Sequence, residues 1–173
     1  MKIALITDQH LDGRKGNINF WNYFQKFYDD IFFPTLEKEG ITTILDLGDT
    51  FDNRKSMDYN TFNRIEANYF RRLKDYTVHM ILGNHCTYYK NTNDINSPEL
   101  LLDKYNNITI YSKPKDIELG GKSFLMMPWI NAGNKDEAVK HINESKSEIM
   151  CGHLECDGFE VTPGMRHEGG FKA

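Results

Sequence analysis

The stretch ITTILDLGDTFD, Ile41 to Asp52, decides the fold. A β-rich run, Ile41 to Leu47, leads straight through Gly48 into two carboxylates, Asp49 and Asp52. The same design precedes and follows it. KIALI (Lys2 to Ile6) runs into Asp8 and His10, and TVHMIL (Thr77 to Leu82) runs into Gly83, Asn84 and His85. Between the first two runs, Phe20, Phe24, Phe27 and Ile31 step by helical intervals along one face, and Pro34 should end or kink that helix. Between the second and third, Phe62, Ile65, Tyr69 and Leu73 repeat the pattern after a polar start at Asp58 to Asn60. This βαβαβ order predicts an α/β fold with parallel strands, right-handed crossovers and helices on both sides of the sheet.

The second half changes character. Ser97-Pro98-Glu99 supplies a capping hydroxyl, a proline at the first helical position and an early acid, which predicts a helix start. Short strands follow at Ile108 to Tyr111, Asp116 to Leu119 and Lys122 to Met127, the last two joined across Gly120-Gly121 as a hairpin. A helix over Lys135 to Glu144 leads to a strand over Glu148 to Cys151, which ends in Gly152-His153. The glycine-rich end EGGFKA reads as a loop or a cut.

Composition narrows the classes. A chain of 173 residues that is 39% hydrophobic closes one sizeable core, so one domain is expected over residues 1–173. A formal charge of −4 and a pI near 5.9 argue against a general basic surface, so a phosphate-bearing substrate would need local cations. There is no apolar run of membrane-spanning length, and Met1-Lys2-Ile3 enters a strand rather than a signal peptide. Cys86, Cys151 and Cys156 lack C-x-x-C spacing, which fits reduced thiols. A soluble, cytoplasmic protein without a membrane partner is the expectation.

In an open α/β sheet, ligands bind beyond the carboxyl ends of the strands. Asp8, His10, Asp49, Asp52, Asn84, His85 and His153 all follow strand ends, so several loops aim oxygen and nitrogen donors at one place. A mixed O/N set without thiolates suits manganese, iron or zinc rather than a structural zinc site. Two ions are expected, bridged by one carboxylate, for which Asp49 is the candidate; such a pair activates water and neutralises a displaced phosphate oxygen. Asp8 and His10 are two apart and would share a face of an extended segment. Glycines 48, 83 and 152 would let the backbone turn sharply and approach the ions.

Other residues read more plainly. Asp52 serves as a turn carboxylate bonding backbone amides, or as support for the site. His79, His141 and His167 read as ordinary surface or packing residues. Cys151 and Cys156 flank His153 at C-x-H-x-x-C spacing, but the metal pattern already uses that strand end. The aromatic run Asn19 to Phe33 suits packing or a dimer surface better than base stacking. Arg54 and Lys55 directly follow one motif and Lys90 lies just past another, so these are the cations placed to touch phosphate.

The ordered set D-x-H (Asp8, His10), G-D-x-x-D (Gly48 to Asp52), G-N-H (Gly83 to His85) and G-H (Gly152, His153) resembles the calcineurin-like metallophosphoesterase superfamily along nearly the whole chain. Within it, ILDLGDTFDNRK, MILGNHCTYYKNT, LMMPWI and CGHLECDGFEVTPGM are similar to the SbcD-type DNA repair nucleases, including the nuclease subunits of T-even phage recombination complexes. The resemblance implies a metallophosphoesterase-type β-sandwich of mixed sheets flanked by helices. It also implies a two-metal exo- or endonuclease, manganese-dependent, although Mg²⁺, Fe²⁺ or Zn²⁺ would suit the same donors. The partners implied are DNA, an SbcC-type coiled-coil ATPase and a second copy of the chain. Carried over by position, Asp8 and His10 hold one ion, Asn84 and His153 the other, Asp49 bridges, and His85 assists the leaving oxygen as an acid. Two departures stand out. The family's later G-H-x-H motif does not occur before Ala173, so the chain reads as truncated, with the capping domain also absent. The acid usual after G-N-H is Cys86, in a position to support His85 or touch phosphate.

Overall fold

The computed structural model describes residues 1–172. Strands β1 (Ala4–Ile6), β2 (Thr43–Asp46), β3 (Thr77–Ile81) and β4 (Ile108–Tyr111) form a four-stranded, wholly parallel sheet in that order. Strands β5 (Lys115–Leu119), β6 (Lys122–Met127) and β7 (Ile149–Gly152) form a second sheet, antiparallel between β5 and β6 and parallel between β6 and β7. Beyond β7, β8 (Cys156–Asp157) pairs with β11 (Phe171–Lys172), and β9 (Glu160–Thr162) with β10 (Met165–Arg166).

Alternation along the strands sets the layers. In β2, Ile44 joins a core of helical side chains while its neighbour Leu45 joins the core between the sheets; in β3, Val78 and Met80 face one way and Ile81 the other. In β6, Phe124 and Met126 meet Leu45 and Ile81, whereas Leu125 and Met127 pack under Ala138. The order is therefore helices, parallel sheet, mixed sheet, helix. The mixed-sheet sandwich flanked by helices stands, but helices on both sides of the parallel sheet do not: its second face is covered by the other sheet. Leu45 and Ile81 are fully buried at that seam, so truncating either to alanine should cost about 2–5 kcal/mol.

The helices carry their own stop and start signals. Helix α1 (Ile18–Phe27) begins where Asn17 Oδ1 accepts from the amides of Asn19 and Phe20, at 2.9 and 3.3 Å. It does not end at Pro34. A π-helical turn, Tyr28–Phe32, joins it to α2 (Phe33–Glu39), and the proline falls in the first turn of α2, where its missing N–H has no bond to lose. Gly40, at φ 63°, closes α2. Part of the aromatic run packs: Trp21, Tyr28, Phe32 and Phe33 are buried against Tyr69, Phe70 and Leu73, whereas Tyr23, Phe27 and Ile31 are exposed, so the buried face is not the one stepped out by Phe20, Phe24, Phe27 and Ile31. Asp58 caps α3 (Tyr59–Asn68) by accepting from the Thr61 amide at 2.9 Å. A 3-10 turn over Phe70–Asp75 leads on to β3. The cap of α4 (Ser97–Leu102) is Asn96 and not Ser97; the serine is the first helical residue and its hydroxyl donates to the Cys86 carbonyl. Helix α5 (Lys135–Glu144) covers the outer face of the second sheet.

Candidate metal centre

The carboxyl ends of β1, β2 and β3 and the end of β7 deliver Asp8, His10, Asp49, Asn84 and His153 to one place. Asp49 is the hub. Its Oδ2 lies 3.8 Å from His10 Nε2 and 3.5 Å from His153 Nε2, and its Oδ1 accepts the His85 amide at 2.8 Å. His10 Nε2 is 4.0 Å from Asp8 Oδ1, and His153 Nε2 is 3.1 Å from Asn84 Oδ1. Asp8, Asp49 and His153 each offer an atom within 4.8 Å of the others.

The local backbone is not the extended segment the D-x-H spacing predicts. Asp8 and His10 stand at φ 52° and 44°, and Asp49 at φ 52°. Each such residue costs about 1–3 kcal/mol and persists only where its surroundings impose it. Here they do. The amides of Asp8, His10 and Leu11 donate to the carbonyls of Gly48, Asp49 and Thr50 at 2.9–3.0 Å, lacing the first loop onto the second. Two glycines make room. A Cβ on Gly48, itself at φ 101°, would stand 2.9 Å from His153 Nδ1, and one on Gly83 would stand 2.1 Å from Asp49 Oδ1. Gly152 takes no special turn; it ends β7 against Leu154.

Charge follows from these contacts. Burial pushes the Asp49 carboxyl up, but the hydrogen bonds from His153 and the His85 amide, with the charges of both rings, hold it below the ordinary value. Burial disfavours the His153 imidazolium, yet Asp49, the Leu47 carbonyl 3.0 Å from Nδ1, and Asp8 together raise its pKa above the usual value. The Leu47 contact also fixes the ring so that Nε2 faces the site.

Donor chemistry and geometry fit divalent cations: carboxylates, an amide oxygen and imidazole nitrogens converge without a thiolate. A buried nitrogen without a hydrogen-bond partner, His10 Nδ1, lies 3.2 Å from Asp52 Oδ1 but off the angle for a hydrogen bond. His85 Nδ1 meets the Asp52 carbonyl at 2.9 Å and its Oδ1 at 3.5 Å. Asp52 thus sits between two rings that meet edge to face at 5.0 Å. His10, Asp52 and His85 form a second group of donors within 4.8 Å of one another. Arg54 does not reach into the centre: Nη1 donates to the Thr87 carbonyl and hydroxyl, and the guanidinium rests 5.6 Å from the Trp129 ring. The Cys86 side chain is fully buried with its thiol pushed up to about 12 by burial, so it has no surface for a phosphate and supports the turn by packing.

The chain belongs to the calcineurin-like phosphoesterase family. The family model matches residues 1–165. "Exonuclease subunit 1" of Enterobacteria phage T4 is 36% identical over 135 residues, covering 77% of this chain and 40% of the relative. The chain therefore spans about two fifths of the length of that curated relative. Among solved structures, the Pseudomonas putida nuclease MPE superposes with a TM-score of 0.52 at 16% identity, over 95% of this chain and 66% of that one, a likeness of fold. The family is one of metal-dependent phosphoester hydrolases. Among the described residues, no helix is long and apolar enough to cross a membrane.

Two buried carboxylates of this family member escape motif reading. Asp12, 0% exposed, accepts from the Asp52 amide at 2.6 Å, the Asn53 amide at 3.2 Å and Asn53 Nδ2 at 2.6 Å. It fixes the loop that carries Asp52. Asp46 accepts from Gln9 Nε2 and Thr50 Oγ1, both at 2.8 Å, and from the Gly48 amide at 3.2 Å, while Tyr28 donates to Gln9 Oε1 at 2.9 Å. It ties the first two loops together from beneath. The signal for both was position alone: a carboxylate two residues past a D-x-H and one at the end of a buried strand.

Proposed function

We propose that the chain is the nuclease module of a DNA-processing enzyme, a phosphodiester hydrolase using two divalent ions, manganese by preference, at Asp8, His10, Asp49, Asn84 and His153. The observation that carries this reading is the convergence of four strand-end loops on the buried Asp49 carboxylate, which faces His10 on one side and His153 on the other. When bound, the ions would supply Lewis-acid charge stabilisation and a lowered water pKa. The chain's own residues do the rest. Asp49 is the shared carboxylate. His85, with Nδ1 occupied by the Asp52 carbonyl, keeps Nε2 for the departing 3′ oxygen, where it gives a proton. Asp12, through Asp52, sets the ring's orientation.

An exonuclease activity within an assembly follows the likeness to the T4 protein, whose name is that of an exonuclease subunit; DNA as substrate and a role in recombination and double-strand-break repair rest on the resemblance of the strand-end motifs to SbcD-type nucleases. The partners we propose are an SbcC-type coiled-coil ATPase and a second copy, in the cytoplasm of a phage-infected host. Plasmid nicking in manganese, run beside a phosphopeptide phosphatase assay, tests the substrate. Thermal stability titrated with manganese tests the centre, because a ligand of the native state alone raises stability with concentration. A flat titration with no nicking would leave only an inert binding module.

The grouping of His10, Asp52 and His85 favours a second assignment of one ion, with His85 as ligand. Under our reading His85→Ala keeps the manganese stabilisation; under the second it loses as much as Asp8→Ala does.

A further inference from the structure

We propose that Tyr88 and Tyr89 form a stacking shelf for an unpaired terminal base of the DNA strand being cut. The proposal rests on the nuclease reading and extends it to the substrate's single-stranded end.

The shelf begins three residues past His85. Thr87 bridges Asn96, the Tyr88 amide donates to the Ile95 carbonyl at 2.9 Å, and Arg54 ties the Thr87 carbonyl to the loop that carries Asp52. At the far side Asn93 Nδ2 donates to the carbonyls of Trp129 and Ser112, at 3.1 and 3.3 Å, and its Oδ1 accepts from Asn131 at 2.9 Å. This loop is bonded at its base and along its length. Yet it presents two aromatic rings to solvent, Tyr88 37% and Tyr89 51% exposed, edge to face with centroids 4.7 Å apart. Core packing does not account for a bonded loop that holds paired rings outward, three and four residues past His85 in the chain.

The surrounding charge names the occupant. Lys55 Nζ lies 5.6 Å from the Tyr88 ring, and Lys90 follows the pair in sequence. Among the described residues, neither lysine has a carboxylate within 4.0 Å, on a chain whose formal charge is −4. Exposed rings with unpaired cations are what a single strand needs: faces for bases, ammonium groups for the backbone. The cleft behind Tyr88, lined by Arg54, Lys55, Ile95 and Leu100, is about 180 Å³. That is below the roughly 300 Å³ at which small-molecule pockets begin, so the base lies across the rings and does not sink between them.

The test uses the whole chain, with calcium in place of manganese to hold back cutting, and a short single-stranded DNA carrying 2-aminopurine as its terminal base. Wild type should quench the probe. The Tyr88→Ser/Tyr89→Ser variant should lose the quench and bind about ten-fold or more weakly. Tyr88→Phe/Tyr89→Phe should restore both, and manganese should raise the melting temperature of all three alike. Equal quenching and affinity in the serine variant, in a wild type that nicks DNA, would overturn the shelf alone. An unchanged DNA affinity with a dimer turned monomer would assign the rings to a second copy and also overturn it. A wild type that neither binds DNA nor gains stability from manganese would remove the nuclease reading first.

Discussion

Asp46 and Asp49 lie three residues apart on one strand-to-loop turn, 1% and 3% exposed, yet their protonation behaviour is opposite. Burial pushes Asp46 up to about 7, because its partners Thr50, Gly48 and Gln9 are neutral and Asp8 adds a like charge. Asp49, where burial also pushes the carboxyl up, ends below its ordinary value because imidazoles and an amide face it. Depth alone therefore does not decide which carboxylate can hold a cation. Partners decide it: the lower carboxyl is built as a hydrogen-bond hub, the upper one as an anion.

Replacing the upper carboxylate is the sharpest way to break this contrast. Asp49→Ala should remove manganese-supported DNA cutting by more than about 10²-fold, the lower range for deleting one preorganised stabiliser, and should remove manganese stabilisation in a melting assay. Retained cutting would end the shared-carboxylate reading. His85→Ala should lower the rate by about 10²–10⁴-fold while the manganese-induced rise in melting temperature persists. Asp12→Ala acts through the Asp52 loop and should cost about 10–100-fold in activity or ion affinity, read as single-turnover rate against manganese concentration.

The smallest expected effect sharpens the contrast from the other side. The folded pKa of Asp46 is raised above its unfolded value, so the native state holds the extra proton between about pH 4 and 7. Stability from this group is then greatest at the acid end and falls as pH rises to about 7. Asp46→Asn should flatten that part of the metal-free melting profile. His153 has the same sign in a higher window: its raised pKa stabilises the metal-free protein below the unfolded value of about 6.5, and that stability is lost as pH rises through the folded one. Its proton must leave before the nitrogen can ligate, so manganese affinity should climb across that range. A manganese affinity that does not change as pH rises above about 6.5 would detach His153 from the ions.

Some of this was legible in the chain. The runs to Ile6, Leu47 and Leu82, whose strands end at Ile6, Asp46 and Ile81, and the helix over Lys135–Glu144 follow from local periodicity, and so the donor residues could be placed at strand ends. Pro34 misled because a π-helical turn, which no side-chain pattern announces, shifted it into a first turn. Helices on both faces were expected from the βαβαβ order of the first three strands, and nothing local in Leu45 or Ile81 says that the cover is β6 rather than a helix.

The sequence by itself determined which atoms are available: Asp8, His10, Asp49, Asn84 and His153 each stand just beyond a strand, with Gly48 and Gly83 beside them where a side chain would collide. Only the tertiary structure decided where those atoms point. The left-handed backbone at Asp8, His10 and Asp49, the Asp12 brace on Asp52 and Asn53, and the Asp46 hub all depend on bonds between residues about 40 apart in the chain. Such contacts exist only once the parallel strands have brought their ends together, because local propensity alone would leave those residues in their unstrained conformations.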